Sequence, residues 1–309
     1  MAKKATRASF GEALIRAGEK YPQVVVMDAD LSKSTKSDGF ANKFPQRFFE
    51  MGISEANMIG TAAGMALSGK IPFICSFACF LIGRYDIIRM SVAYCDANVK
   101  LVGTHCGVGI GEDGYSQQGL EDLALMRALP NMAVVQPGDH IQTLEAVEYA
   151  VNHKGPVYLR LTRQAVEDLP HPGRAFEFGK GEILREGDDG TIIATGGTVY
   201  YSLAAAEQLN KEGKGNFRVV NISTIDPIDS ELIENCSTST RQVLTVEDHV
   251  INGGLGGAVA EVLSENAPCR LKRHGVLNVF GESGTPEQCY KKFKLDKEGI
   301  IEVAADFFK

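Results

Sequence analysis

Short apolar runs rich in β-branched residues, each separated by a segment of helical spacing, recur along the whole chain and leave few folds open to it. In the first half the runs are VVVMDAD (24–30), IPFICSF (71–77), VKLVGT (99–104), MAVVQ (132–136) and VYLRLT (157–162). Between them lie helical stretches such as 9–20, where Phe10, Ala13, Leu14 and Ala17 share one face, and others at 85–94, 120–128 and 141–152. Strands alternating with helices predict βαβ units and a mostly parallel sheet covered on both faces. The alternation resumes with strands at 191–196, 217–223, 242–249 and 270–277 and closes on an amphipathic helix in LDKEGIIEVAADFF. Residues 165–190 have no strong period and carry Pro170, Pro172 and several glycines, the composition of a linker. The expected fold is therefore α/β with two domains, each a mostly parallel sheet flanked by helices: 1–170, a linker at 171–190, and 191–309.

Charge and composition remove several functions. A net charge of −7 argues against nucleic acid or an anionic membrane as the main partner. The longest apolar run, IPFICSFACFLIG, is too short to span a bilayer, and Arg84 follows it at once. The N-terminal MAKKATRASFGEALIRAG has basic residues but no apolar core of a secretory signal. Seven cysteines, an odd number without CxxC spacing, predict reduced thiols in the cytoplasm, not disulfides or zinc ligands. No H-x-x-x-H, G-x-S-x-G or Walker motif occurs.

Two segments carry the chemistry. In the stretch 48–89, Glu55 heads a small-residue helical run (Gly60, Thr61, Ala62, Ala63, Gly64, Ala66), and Phe77, Phe80 and Tyr85 follow one strand later. A carboxylate at the mouth of such a helix with rings nearby suits a protonated aromatic heterocycle. A helix-start glutamate favoured by the dipole, with ordinary core phenylalanines, has the same spacing. The loop THCGVGIGEDGYSQQG (104–119) begins where a parallel strand ends, the place where open α/β sheets bind ligands. It offers His105, Glu112, Asp113, Ser116, Gln117 and Gln118 without Lys or Arg, a set that hydrogen-bonds hydroxyls but cannot alone neutralise phosphate; a solvated turn-rich loop is the competing reading. Arg7, Ser34 and Arg163 stand at separate corners of the first domain, and if they converge they supply the charge and fork geometry that a phosphate requires. INGGLGGAVAEVL (251–263) lacks the G-x-G-x-x-G pattern and points to tight helix–strand packing, and the preceding Glu247, Asp248 and His249 read as a solvated strand end.

GISEANMIGTAAGMAL, SFACFLIGR and VGTHCGVGIGEDGYSQQGLEDLALMRALPNMAVVQPGD together resemble the pyrimidine-binding domain of transketolases, and FGESGTPEQCYKKFKL is similar to their C-terminal domain. The resemblance is collinear over nearly the whole chain and lacks the N-terminal half of those enzymes, which carries the diphosphate and metal site. It implies the C-terminal subunit of a split transketolase that needs a separate N-terminal subunit, self-associates in an α2β2-like assembly, and uses thiamine diphosphate with Mg²⁺ or Ca²⁺ held by that partner. By the same resemblance Glu55 hydrogen-bonds N1′ of the aminopyrimidine, Phe80 stacks on that ring and Phe77 walls it. His105 and Asp113 read substrate hydroxyls, while Arg7, Ser34 and Arg163 contact the acceptor phosphate. One position departs: Asp113-Gly114-Tyr115-Ser116-Gln117-Gln118 places Gln117 where the family has a histidine that takes part in proton transfer, and Cys106 stands where an aspartate is common. The expected activity is transfer of a two-carbon ketol unit from a ketose phosphate to an aldose. Alternatives are a transketolase specialised for an unusual sugar, a 1-deoxyxylulose-5-phosphate synthase-like or 2-oxoacid dehydrogenase beta subunit, or a non-catalytic assembly subunit.

Overall fold

Residues 3–309 are described by a computed structural model whose strands are, in chain order, β1 (Lys3–Ala5), β2 (Val24–Asp28), β3 (Phe48–Glu50), β4 (Ile71–Phe77), β5 (Lys100–Thr104), β6 (Ala133–Val135), β7 (Val157–Arg160), β8 (Ala165–Glu167), β9 (Glu182–Arg185), β10 (Gly190–Ala194), β11 (Phe217–Asn221), β12 (Thr224–Asp226), β13 (Gln242–Val250) and β14 (Arg270–Val276). Seven of them form one sheet in the order β12-β6-β7-β5-β4-β2-β3, parallel except for β12, and five form a second in the order β14-β13-β10-β11-β9, parallel except for β9. This is an α/β architecture of mostly parallel sheets flanked by helices. β1 and β8 make a small antiparallel pair at the side.

Burial explains the strand composition. Every residue of β2 and β5 is buried, because helices cover both faces of the first sheet. Val24 and Val26 face a layer with Phe10, Leu14 and Phe73, while Met27 faces one with Met58, Ile59 and Ile74. That second layer continues into Ile193, Val220, Val243 and Leu255, so one apolar core joins the two halves. β12 strengthens the joint: it comes from the second half of the chain and extends the first sheet, Thr224 opposite Val135.

The parallel registers set the site. Asp28 of β2 lies opposite Cys75 of β4, and Phe77 of β4 opposite Thr104 of β5, so the loops after these strands leave from one edge. Four elements differ from the sequence expectation. β3 and β12 are three residues each, too short to show a period. β9 lies inside the stretch read as linker and closes the second sheet as its antiparallel edge. The segment expected as one helix at 85–94 is a short α-turn, Tyr85–Ile87, running into a π-helix, Ile88–Ala93, in which the Tyr94 amide donates to the Arg89 carbonyl at 2.9 Å. The wider turn keeps Ile88, Val92 and Ala93 on the buried side. Among the described residues no helix is long and apolar enough to cross a membrane.

Candidate active site

Glu55 is the first residue of helix Glu55–Leu67 and is buried, at 5% exposure. The free amides at a helix start favour a carboxylate there by about 0.3–1 kcal/mol. The Ser76 hydroxyl, on β4, donates to its Oε1 at 3.2 Å, and among the described residues no protein donor reaches Oε2. One oxygen is thus held by the protein and the other is free to accept. Ser76 escaped the sequence reading; its only signal was a lone hydroxyl inside IPFICSF.

β4 ends at Phe77, and the chain turns at once into helix Ala78–Ile82, which carries Phe80. The two rings are near parallel (8°) with centroids 5.5 Å apart, and the imidazole of His105 lies on Phe77 at 3.7 Å. Phe77 is buried while Phe80 keeps part of its surface free, so the group presents a flat apolar platform that starts one residue after Ser76, the partner of Glu55.

His105 follows β5 with φ of 56°, a conformation that a non-glycine residue adopts only where its surroundings hold it. Its Nε2 faces Arg7 Nη1 at 2.8 Å and its Nδ1 faces the Thr104 hydroxyl at 2.9 Å. A guanidinium only donates, so Nε2 accepts and Nδ1 carries the proton. Burial, with Arg7, Arg163 and Lys36 adding repulsion, pushes the pKa of His105 down to about 3. The ring is neutral at any physiological pH. Thr104 in turn donates to the Ser76 carbonyl at 3.2 Å, which completes a run of contacts from Glu55 to Arg7.

Arg7 extends this run to Ser34, whose carbonyl, and not its hydroxyl, accepts from Nη1 at 2.7 Å. Its Nε is buried without a partner. Burial and the neighbouring Arg163 charge both lower the pKa of Arg7, and Asp113 opposes them. Arg163 donates to the Ile110 carbonyl and to Glu112 at 3.2 Å, so it supplies the cation that the 104–119 loop itself lacks. Two guanidiniums that disfavour each other, one with an unused donor, form a donor set for an anion. The Ser34 loop is fixed from below by Asp28, which accepts from the Leu31 amide (2.6 Å), Thr35 (2.7 Å) and Ser37 (2.9 Å). Burial pushes the Asp28 pKa up to about 6. Neither Asp28 nor Lys36 was singled out from sequence, because both act only through the folded loop.

The remaining candidates are less engaged. Asp113 is exposed and Gln117 half-buried, and among the described residues neither side chain makes a hydrogen bond. Cys106 is buried and its thiol is pushed up to about 12 by burial, which leaves an unreactive apolar group. Glu247, Asp248 and His249 are buried, not solvated as their position suggested. Glu247 accepts from the Leu255 and Gly256 amides at 2.7 and 2.9 Å, filling the helix start of INGGLGG with the chain's own carboxylate. Gly60 and Gly64 have no atom of this chain within 4 Å of a β-carbon placed on them, so their small size serves no internal contact. Among the described residues no group of three or more His, Cys, Asp and Glu could hold a metal ion.

A helix-start carboxylate, a ring platform and an anion-binding pair at one sheet edge accord with the sequence comparisons. Residues 2–168 match the family model described as "Transketolase, pyrimidine binding domain", and residues 179–300 match "Transketolase, C-terminal domain". The chain belongs to the transketolase family. It is 48% identical to the putative transketolase C-terminal section of Methanocaldococcus jannaschii over 96% of this chain and 94% of that one. It is 39% identical to the 6-deoxy-6-sulfo-D-fructose transketolase subunit SqwH of a Clostridium species over 96% of this chain and 92% of that one. Against human transketolase, at 38% identity, it spans 97% of its own length but 48% of the relative. A solved split-gene transketolase, an inactive beta4 tetramer, superposes with a TM-score of 0.91 at 45% identity, over 99% of this chain and 98% of that one. The chain is thus a transketolase-family subunit of the split type.

Proposed function

We propose that this subunit is the pyrimidine-binding half of a thiamine-diphosphate-dependent transketolase, joining an N-terminal partner subunit to move a two-carbon ketol unit from a ketose phosphate to an aldose acceptor. The observation that carries the reading is Glu55: buried, held at Oε1 by Ser76, the residue that precedes the stacked Phe77, and without a protein donor at Oε2 among the described residues. That arrangement fits an aminopyrimidine, which offers a ring N–H to a carboxylate acceptor and a flat face to Phe80. When bound, thiamine diphosphate supplies the carbon nucleophile and electron sink for breaking and forming the C–C bond.

The work of this chain follows from its own groups. Glu55 holds a proton at N1′ of the pyrimidine, Phe80 stacks on the ring and Phe77 walls it. His105, neutral, offers Nε2 to a substrate hydroxyl when Arg7 turns from that nitrogen to the phosphate, and Asp113 accepts from another. Arg7, the Ser34 loop and Arg163 bind the substrate phosphate. Mg²⁺ or Ca²⁺ and the cofactor diphosphate are held by the partner, in an assembly of α2β2 type within the cytoplasm. The open face at Gly60 and Gly64, with Ile53 and Leu67 exposed at 84% and 74% at its two ends, supports subunit contact there.

A second reading, a transketolase specialised for an unusual sugar, is favoured by Gln117. An amide hydrogen-bonds but does not exchange a proton near neutral pH. The test is co-expression with an N-terminal subunit and assay against a panel of ketose donors, sulfonated as well as phosphorylated, with aldose acceptors and thiamine diphosphate. Turnover that requires both chains and the cofactor is expected. A chain that assembles with its partner yet turns over no ketose in the panel contradicts the enzymatic reading.

A further inference from the structure

The second half of the chain supplies none of the groups proposed to touch cofactor or sugar, yet it shapes the loop that does. In 104–119, Gly107, Gly111 and Gly114 have φ of +74°, +86° and +79°, and each faces the second half at close range. A β-carbon would lie 2.1 Å from Asp248 Oδ2 at Gly107, 2.9 Å from Pro286 Cδ at Gly111 and 2.2 Å from Ser283 Oγ at Gly114. Gln118, near the end of the loop, donates to the Glu282 carbonyl at 2.9 Å. These three positive-φ glycines are therefore the imprint of the C-terminal half against the loop, whereas Gly109 and Gly119 face Gln164 and Ala78 of the first half.

One group in that imprint acts as a brace. Asp248, near the end of β13, is 3% exposed; its Oδ1 accepts from the Val108 amide at 2.8 Å, and its Oδ2 accepts from the Tyr290 hydroxyl at 3.0 Å. Tyr290 is itself 3% exposed, on helix Pro286–Lys292. The amides after His105 are held in sequence: Cys106 by the Leu161 carbonyl (3.3 Å), Gly107 by that of Gly119 (2.9 Å), and Val108 by Asp248. The first two anchors belong to the first half, and the third is a side chain of the second. A carboxylate is costly to bury, and this one commits Oδ1 to a backbone amide three residues from a left-handed histidine and Oδ2 to the Tyr290 hydroxyl that orients it.

We propose that Asp248, oriented by Tyr290, is a positioning residue that sets the 105–111 backbone and through it His105, so that the C-terminal half tunes substrate binding without touching substrate. The proposal rests on the transketolase reading above, and its test separates the two. Asp248→Leu removes both acceptors at similar size, Asp248→Asn keeps an oxygen for Val108, and Tyr290→Phe removes one hydroxyl. Each variant is assembled with the N-terminal subunit and thiamine diphosphate, and kcat and donor KM are measured beside amide hydrogen exchange over 105–118 and over 243–246. For Asp248→Leu, kcat/KM falls by about tenfold or more, chiefly through KM, and exchange over 105–111 quickens by a similar factor while 243–246 is unchanged. Asp248→Asn stays within about threefold of the wild type in both readouts. Exchange and kinetics unchanged in Asp248→Leu, exchange quickened equally in both segments, or Asp248→Asn as impaired as Asp248→Leu would each overturn the proposal. If Asp248→Leu does not fold, Tyr290→Phe decides: faster exchange over 105–111 supports the brace and unchanged exchange refutes it. A wild-type assembly without ketol transfer sinks the transketolase reading, while the exchange comparison still decides the brace.

Discussion

His105 and Gln117 occupy the same loop, and neither carries a proton to or from a substrate near neutral pH. With its pKa pushed down to about 3, His105 cannot titrate between pH 5 and 8, and Arg7 occupies its free lone pair. Gln117 does not titrate at all. Replacing Gln117 with histidine puts a group of ordinary pKa, about 6.5, at a half-buried position without a fixed partner. The ratio of variant to wild-type kcat/KM is therefore expected to bend near pH 6–7, changing by about threefold or more across that range, because groups common to both enzymes cancel. A ratio flat from pH 5 to 8 would mean that position 117 does not face the reacting sugar. At this scale the sequence named Glu55, Phe77, Phe80, His105 and Arg7 through family resemblance, and the structure brings these side chains into one run of contacts. Spacing could not foresee it: Arg7 and His105 are 98 positions apart. Asp248 and its neighbours were misread because a polar triplet at a strand end looks solvated until the first half of the chain packs against it, Val108 on Asp248 and Ala124 on His249.

Between elements, His171 shows how the segment at 171–190 joins the halves. Its Nε2 meets Asp139 at 2.7 Å and its Nδ1 meets Glu182 at 2.8 Å. Asp139 caps helix His140–Asn152 through the Gln142 amide, and Glu182 opens β9. Burial opposes the charge on the ring, but hydrogen bonds to Asp139 and Glu182 outweigh it and push the pKa up to about 9. The folded chain then binds a proton that the unfolded chain releases above about 6.5. The resulting stability, about 2–3 kcal/mol, is fully present below pH 6.5 and is lost as pH rises to 9. Urea midpoints of wild type and His171→Gln should differ most at pH 6 and converge by about pH 9.5; a difference independent of pH would refute the clamp. Long periodic elements such as helix Thr6–Lys20 and strands β2, β4 and β5 were legible from the chain alone. β3, β9 and β12 were not, since strands of three or four residues carry too little pattern and are fixed by the neighbour they pair with.

Across the whole molecule, the two halves are locked by a buried arginine. Arg160 donates from Nε to Asp122 at 2.8 Å and from Nη2 to the Gly119 and Asp248 carbonyls, both at 3.0 Å. Arg160→Met leaves Asp122 with the Tyr158 hydroxyl as its remaining hydrogen-bond donor. We expect a loss of about 3–5 kcal/mol in urea unfolding; a loss below about 1 kcal/mol would show that the ion pair is dispensable. The two-sheet α/β plan was legible because it rests on alternation, whereas the way the second sheet presses on the active loop depends on contacts that no local pattern records. The central claim is that Glu55 engages the pyrimidine of a cofactor whose diphosphate another chain holds. Its most direct test is thiamine-dependent ketol transfer by the two-subunit assembly, compared between wild type and Glu55→Gln. The account predicts turnover in the wild type only when cofactor is added, and a fall of about 100-fold or more in Glu55→Gln with assembly intact. Turnover without thiamine diphosphate, or near wild-type rates in Glu55→Gln, would contradict it.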